Sequence, residues 1–235
     1  MGGHSAGGSR NGTRVLLSRK GGRLEIWARL GSNQRPLPCE GSALPLSYAP
    51  CAPIIGRQNT GVESLRGKLL IASPALPDWF RRTVILIVEH TEEGAFGLVL
   101  NRRSETTVAD AVPVLEGLAG PDEPVHIGGP VQQEGVVALG EFPDPGLSPK
   151  PVVGDVGLVD LDHPPEGLER VRVFAGHAGW GEGQLDGELE AEAWIVAEAE
   201  PGDAFSDGDL WADALRRQGG EYELLARMPA DPSMN

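Results

Sequence analysis

The chain has 235 residues, 40% of them hydrophobic, and its apolar runs, such as Val84-Ile85-Leu86-Ile87-Val88, are far too short to span a bilayer. The charge is unevenly spread: residues 1–61 hold 8 Lys+Arg and 2 Asp+Glu, whereas residues 62–235 hold 12 against 32. So acidic a body repels phosphate backbones, which disfavours direct nucleic-acid binding, and with Cys39 and Cys51 both in the first segment it is left without thiol, disulfide or cysteine-ligated zinc chemistry.

Residues 1–61 show no sustained helical or strand period and are rich in Gly, Ser, Arg and Pro. One reading is a disordered basic arm that does not pack on the body. The other starts from LGSNQRPLPCEGSALPLSYAP, residues 30–50, which resembles the antisense translation of a transfer-RNA gene. Ser32-Asn33-Gln34 and Leu46-Ser47-Tyr48 can be encoded by the complements of the T-arm and D-arm consensus sequences. On that reading the start codon is misplaced and Val62 is the expected start. The first residues lack the apolar stretch of a secretory signal, so a cytoplasmic location is expected.

Residues 62–235 read as one domain. Lys68–Ala72, Thr83–Glu89 and Ala95–Asn101 are predicted strands, the last two joined as a hairpin through His90-Thr91-Glu92-Glu93-Gly94. Thr106 or Thr107 caps a short helix that presents Val108, Ala111, Val112 and Leu115 on one face, with Pro113 limiting it. Further strands are predicted at Val125–Ile127, Val136–Phe142, Val156–Leu161 and Val171–Ala175, with the Pro-rich Phe142–Pro151 as a surface loop. Two helices follow, Glu182–Glu190 and Asp207–Gln218, the second with Leu210, Trp211, Ala214 and Leu215 at helical spacing and Gly219 as its stop. Strands outnumber helices without regular alternation, which points to an α+β fold.

Five motifs in order, LLIASPALPDWFRRTVILIVEH (69–90), EEGAFGLVLNR (92–102), IGGPV (127–131), GHAGWGEGQLDGELEAEAW (176–194) and the ending DPSMN (231–235), resemble the AlgH/YqgE family of bacterial proteins. The resemblance covers about residues 65–235. It implies an α+β fold whose mixed, bifurcated sheet curls into a pseudo-barrel with a few flanking helices. Members have been labelled transcriptional regulators, but no established biochemical activity comes with the resemblance.

The glycine-rich GHAGWGEGQL, residues 176–185, is the stretch most like a site. It matches neither dinucleotide nor phosphate-loop spacing, offers no Lys or Arg, and opens a helix already loaded with Glu182, Asp186, Glu188 and Glu190. A tight strand-to-helix turn with Trp180 packed over it is the favoured reading; a cleft for an uncharged or cationic ligand, or a peptide, is the other. The ligand- or partner-binding candidates are His90, Asn101, Arg102, Gly128, Gly129, His177, Trp180, Gly181, Gly183 and Gln184. His90 lies among Glu89, Glu92 and Glu93 without metalloprotease spacing, Gly128-Gly129-Pro130 reads as a backbone turn, and His126 and His163 stand alone. No serine-hydrolase elbow is present, and neither metal nor cofactor is expected. The expected function is non-catalytic binding of a protein partner or a small uncharged or cationic ligand, with an indirect regulatory role. The alternative is an enzyme working in one cleft lined by His90, Asn101, Arg102, His177 and Trp180.

Overall fold

Gly21-Gly22 is a two-residue hairpin signal, and the strands on either side of it, β1 (Val15–Lys20) and β2 (Arg23–Ala28), pair antiparallel with Lys20 opposite Arg23. This hairpin lies in the segment without a sustained period, because the alternation in Arg23–Ala28 is too short to stand out among so many glycines. The structure, a computed structural model, describes these two strands and residues 64–229 apart from 77, 116 and 121. The antisense-like stretch 30–50, both cysteines, Val62 and the ending DPSMN lie outside the described residues.

β3 (Lys68–Ala72) and β4 (Val84–Thr91) are apolar at nearly every position because both of their faces are covered. β5 (Gly94–Val99) returns from β4 through a tighter turn than expected, His90 pairing with Ala95 and Thr91 with Gly94. β6 (Arg103–Thr107) leads into α1 (Val108–Ala111), whose first turn is capped by the Thr107 side chain accepting from the Asp110 N–H. β7 (Pro124–Ile127), β8 (Val131–Glu141), β9 (Lys150–Val153), β10 (Val156–Leu158), β11 (Arg170–Gly181), α2 (Gln184–Glu190), β12 (Trp194–Glu198), α3 (Leu210–Gln218) and α4 (Tyr222–Leu225) complete the described chain.

Ten strands form one sheet in the order β12-β3-β4-β5-β11-β8-β10-β9, with β6 and β7 attached through β11. β11 is where the sheet forks. Its first half pairs antiparallel with β8 on one edge and parallel with β7 on the other; its second half, Ala178–Gly181, pairs antiparallel with Gly97–Gly94 of β5. The Val99 N–H donates to the Gly128 carbonyl (2.8 Å) and the Gly128 N–H to the Ala175 carbonyl (2.8 Å), which joins the ends of β5 and β7 on that second edge. The sheet is therefore mixed and bifurcated, and it curls into a half-barrel flanked by four α-helices among the described residues.

Three apolar clusters hold it. Leu69, Ile71, Leu86 and Leu98 cluster with Trp211 and Leu215 of α3 and with Tyr222 and Leu225 of α4, while Leu70, Ile85, Ile87 and Val99 on the opposite face pack with Trp180, Leu185 and Trp194. The third gathers Val108, Leu115, Val125, Phe142 and Val173 under the other limb of the fork. α3 begins at Leu210 because the Asp209 carboxylate caps the Ala212 N–H (3.2 Å), and it ends at Gly219 with φ 70°.

Several boundaries differ from expectation for physical reasons. β11 does not stop at Ala175 but runs through the glycine-rich stretch to Gly181, because glycine there permits close backbone pairing and does not break the strand. β9 begins in the last two residues of the expected Pro-rich loop, with Pro151 tolerated on an outermost strand. β12 was hidden in Ala- and Glu-rich sequence that favours helix, and its pairing with β3 overrides that propensity. No helix among the described residues is long and apolar enough to cross a membrane.

Candidate functional site

The glycine-rich stretch serves the fork first. Gly176 sits at the register shift of β11 with φ 69°, and a Cβ there would lie 2.6 Å from the Gly129 carbonyl oxygen and 2.9 Å from that of Val131. A side chain on Gly129 would likewise collide with the backbone of His177. Gly128, Gly129 and Gly176 are thus needed for backbone to cross backbone. The turn into α2 is shorter than expected: it comprises Glu182 and Gly183, the latter left-handed at φ 67°. Gly179 and Gly181 have no positive φ and lie in the strand, which corrects the expectation that they build the turn.

Trp180 does pack over this corner, at 7% exposure, edge-on to Trp194 with ring centres 6.1 Å apart. Both indole N–H groups donate to the same oxygen of Glu188, each at 2.8 Å, and the other oxygen accepts from Gln184 Nε2 (2.9 Å). Gln184 Oε1 in turn accepts from the Gly181 N–H (3.1 Å). This network fixes α2 on the sheet. Glu188 was not among the sequence candidates; its only signal was its place, one acid among several, on a helix between two tryptophans.

Beside the corner lies a cleft of about 340 Å³ between the β4–β5 tip and the start of α2. His90, Gly94, Gly181 and Gly183 line it with the carboxylates of Glu92, Glu182 and Asp186. His90 Nδ1 accepts from the Leu65 N–H (3.1 Å), which leaves Nε2 as the nitrogen that carries the proton and can meet a ligand. With three carboxylates, the cleft favours cationic or hydrogen-bonding ligands over anions. Among the described residues, no group of three or more potential ligands is arranged to hold a metal ion.

The other candidates lie elsewhere. Asn101 is at the opposite end of the β4–β5 pair, about 20 Å along the strand from His90. Its Oδ1 accepts from the Val84 N–H (3.0 Å) and its Nδ2 donates to the Arg82 carbonyl (2.7 Å). Arg102 lies over the Trp79 ring, 4.9 Å from its centre, and donates to the Trp79 carbonyl. His177 rests against Phe96 at 4.8 Å, its pKa lowered by burial. His90, Asn101, Arg102, His177 and Trp180 therefore do not share one cleft.

A polar group that sequence gave no reason to choose sits at the fork. His126 is 1% exposed with Nδ1 unpartnered, and burial, then the neighbouring Arg172 charge, lower its pKa to about 4. Arg172 is itself buried and donates to the Ser206 carbonyl (2.9 Å) and to Asp207 (2.6 Å), tying the chain before α3 to β11.

Fold and site together define a class of α+β protein: a forked half-barrel with an acidic cleft at a glycine-rich corner held by paired tryptophans. The AlgH-like family model matches residues 69–223. The chain is 44% identical over 189 residues to a UPF0301 protein of Streptomyces avermitilis, spanning 75% of this chain and 98% of that protein. The crystal structure of a Corynebacterium diphtheriae protein superposes with a TM-score of 0.65 at 33% identity, covering 69% of this chain and 92% of the other. The solution structure of the AlgH protein from Pseudomonas aeruginosa gives 0.53 at 29% identity, covering 74% and 98%. The chain belongs to the AlgH-like family.

Proposed function

We propose that this chain is a non-catalytic cytoplasmic binding protein, with an indirect regulatory role exerted through a protein partner or a small uncharged or cationic ligand. The reading rests on the dispersal of its chemically capable groups. Asn101, Arg102 and Trp180 are engaged in internal bonds or packing, and only His90 of the five faces the acidic cleft. The excess of acids, 32 against 12 Lys+Arg in residues 62–235, favours partners that are not nucleic acid. No cofactor is part of this proposal.

Affinity purification from native cells tests it, comparing the wild type with a variant carrying Glu92→Gln, Glu182→Gln and Asp186→Asn. A stoichiometric protein or small molecule that is reduced in the variant is the expected result. Turnover of a substrate that His90→Gln abolishes would overturn the proposal in favour of the enzyme.

A further inference from the structure

Among the described residues, β12 ends the ten-stranded sheet on its side and pairs with β3 along one edge only. The Ser73 N–H donates to the Ala193 carbonyl (3.0 Å), so alternation in the antiparallel ladder turns the backbone groups of Ala193, Ile195 and Ala197 toward β3. Those of Trp194, Val196 and Glu198 face outward. Native sheets usually blunt such an edge with charged side chains, proline or a bulge; WIVAE has neither proline nor bulge, and its one charge, Glu198, stands at its end.

Alongside this edge runs a groove of about 570 Å³ between β12 and the ends of α2, α3 and α4. Ile195, Val196, Leu224 and Leu225 give it an apolar lining, with Val196 37% and Leu224 68% exposed. Among the described residues, its charged lining consists of Glu192 and Glu221, with no Lys or Arg.

We infer that the open edge of β12 takes an extended partner segment of alternating apolar and basic residues as an added strand. The inference rests on the binding-protein reading and gives it a protein-docking edge separate from the acidic cleft. Main-chain bonds to Trp194, Val196 and Glu198 give such a segment affinity, and alternate side chains divide between the apolar groove and the carboxylates. A second copy of this chain fits less well: β12 paired antiparallel with itself about Val196 brings Glu198 of each copy toward Trp194 of the other, close to a second set of acids at Glu192 and Glu221.

The test uses the full chain and three fluorescent nonapeptides: alternating valine and lysine, alternating valine and glutamate, and an N-methylated valine–lysine peptide that keeps its charge but cannot complete the ladder. Anisotropy titrations at near-physiological salt should show binding of the first only. Val196→Pro removes an outward N–H that the sheet does not use, so it should keep the fold and weaken binding at least tenfold. Glu192→Lys with Glu221→Lys should shift preference to the valine–glutamate peptide. If Val196→Pro does not fold, slowed amide exchange at Trp194, Val196 and Glu198 on adding the first peptide replaces it as the readout.

Equal binding of the N-methylated peptide, no binding of any peptide, or a wild-type dimer that Val196→Pro dissociates would each overturn the inference. A native partner captured equally by wild type and Val196→Pro would overturn the β12 assignment and leave the binding-protein reading intact. Substrate turnover abolished by His90→Gln would remove that reading itself.

Discussion

One oxygen of Glu188 accepts two indole N–H groups, so its removal strands both donors in a partly buried site. Glu188→Ala should therefore cost about 2–4 kcal/mol, more than loss of a surface acid. Trp180→Ala should remove about 3–5 kcal/mol, given its burial among Ile85, Ile87 and Val99. Urea denaturation checks both, and a Trp180→Ala protein of wild-type stability would return the corner to the status of a ligand cleft. His126 gives a pH signature. Its folded-state pKa of about 4 lies below the ordinary 6.5, so the unfolded chain takes up the proton first. Stability from the neutral imidazole is complete above about 6.5 and is lost as pH falls toward 4. Between pH 7 and 5 the wild type should lose about 2 kcal/mol more than His126→Gln, up to a limit of about 3 kcal/mol at lower pH. Parallel losses in the two proteins would refute this assignment.

At the scale of elements, the fork depends on two strands crossing at glycine. Gly176→Ala combines a left-handed φ with a Cβ pressed against two carbonyl oxygens, and neither neighbour is a flexible side chain. It should cost several kcal/mol, on the order of 3 or more, or prevent soluble expression. Gly181→Ala is the control: a Cβ there meets nothing within 4 Å and φ is not positive, so its melting temperature should stay within a degree or two of wild type, a change of about 0.5 kcal/mol at most. That reverses the expectation from sequence, in which Gly181 belonged to the turn. Thermal melts of this pair separate a glycine needed by the fork from one merely present in the strand.

At the scale of the molecule, acidity governs what can approach. Residues 62–235 carry 32 acids against 12 Lys+Arg, and the cleft and the β12 groove are both lined by carboxylates. A protein starting at Val62 should show no sequence-selective binding to DNA or RNA at near-physiological salt, because it has few cations with which to displace counterions. Gel-shift and anisotropy assays against genomic fragments would detect the contrary. A basic partner should instead associate faster at low ionic strength, with a rate that falls steeply as salt is added.

Much of the framework follows from local rules that the sequence states openly. The continuous apolar runs of β3 and β4, the Thr107 cap and the helical spacing of Leu210, Trp211, Ala214 and Leu215 need only side-chain period and capping chemistry to be read. The family, too, was legible in the order of five motifs. What tertiary structure alone decided is non-local. A glycine that turns a chain and one that lets two backbones cross look alike until the partner strand is known, and so Gly176–Gly181 became strand. A histidine without sequence neighbours became a buried group because β6, β7 and β11 converge on it. His90 reached a cleft while Asn101, six residues from its pairing partner, went to the far end of the sheet. Local sequence fixes which residues can be helix, strand or cap, because those energies are settled within a few positions. Which side chains share a site depends on strand order and register, and these are set by burial summed over the whole sheet.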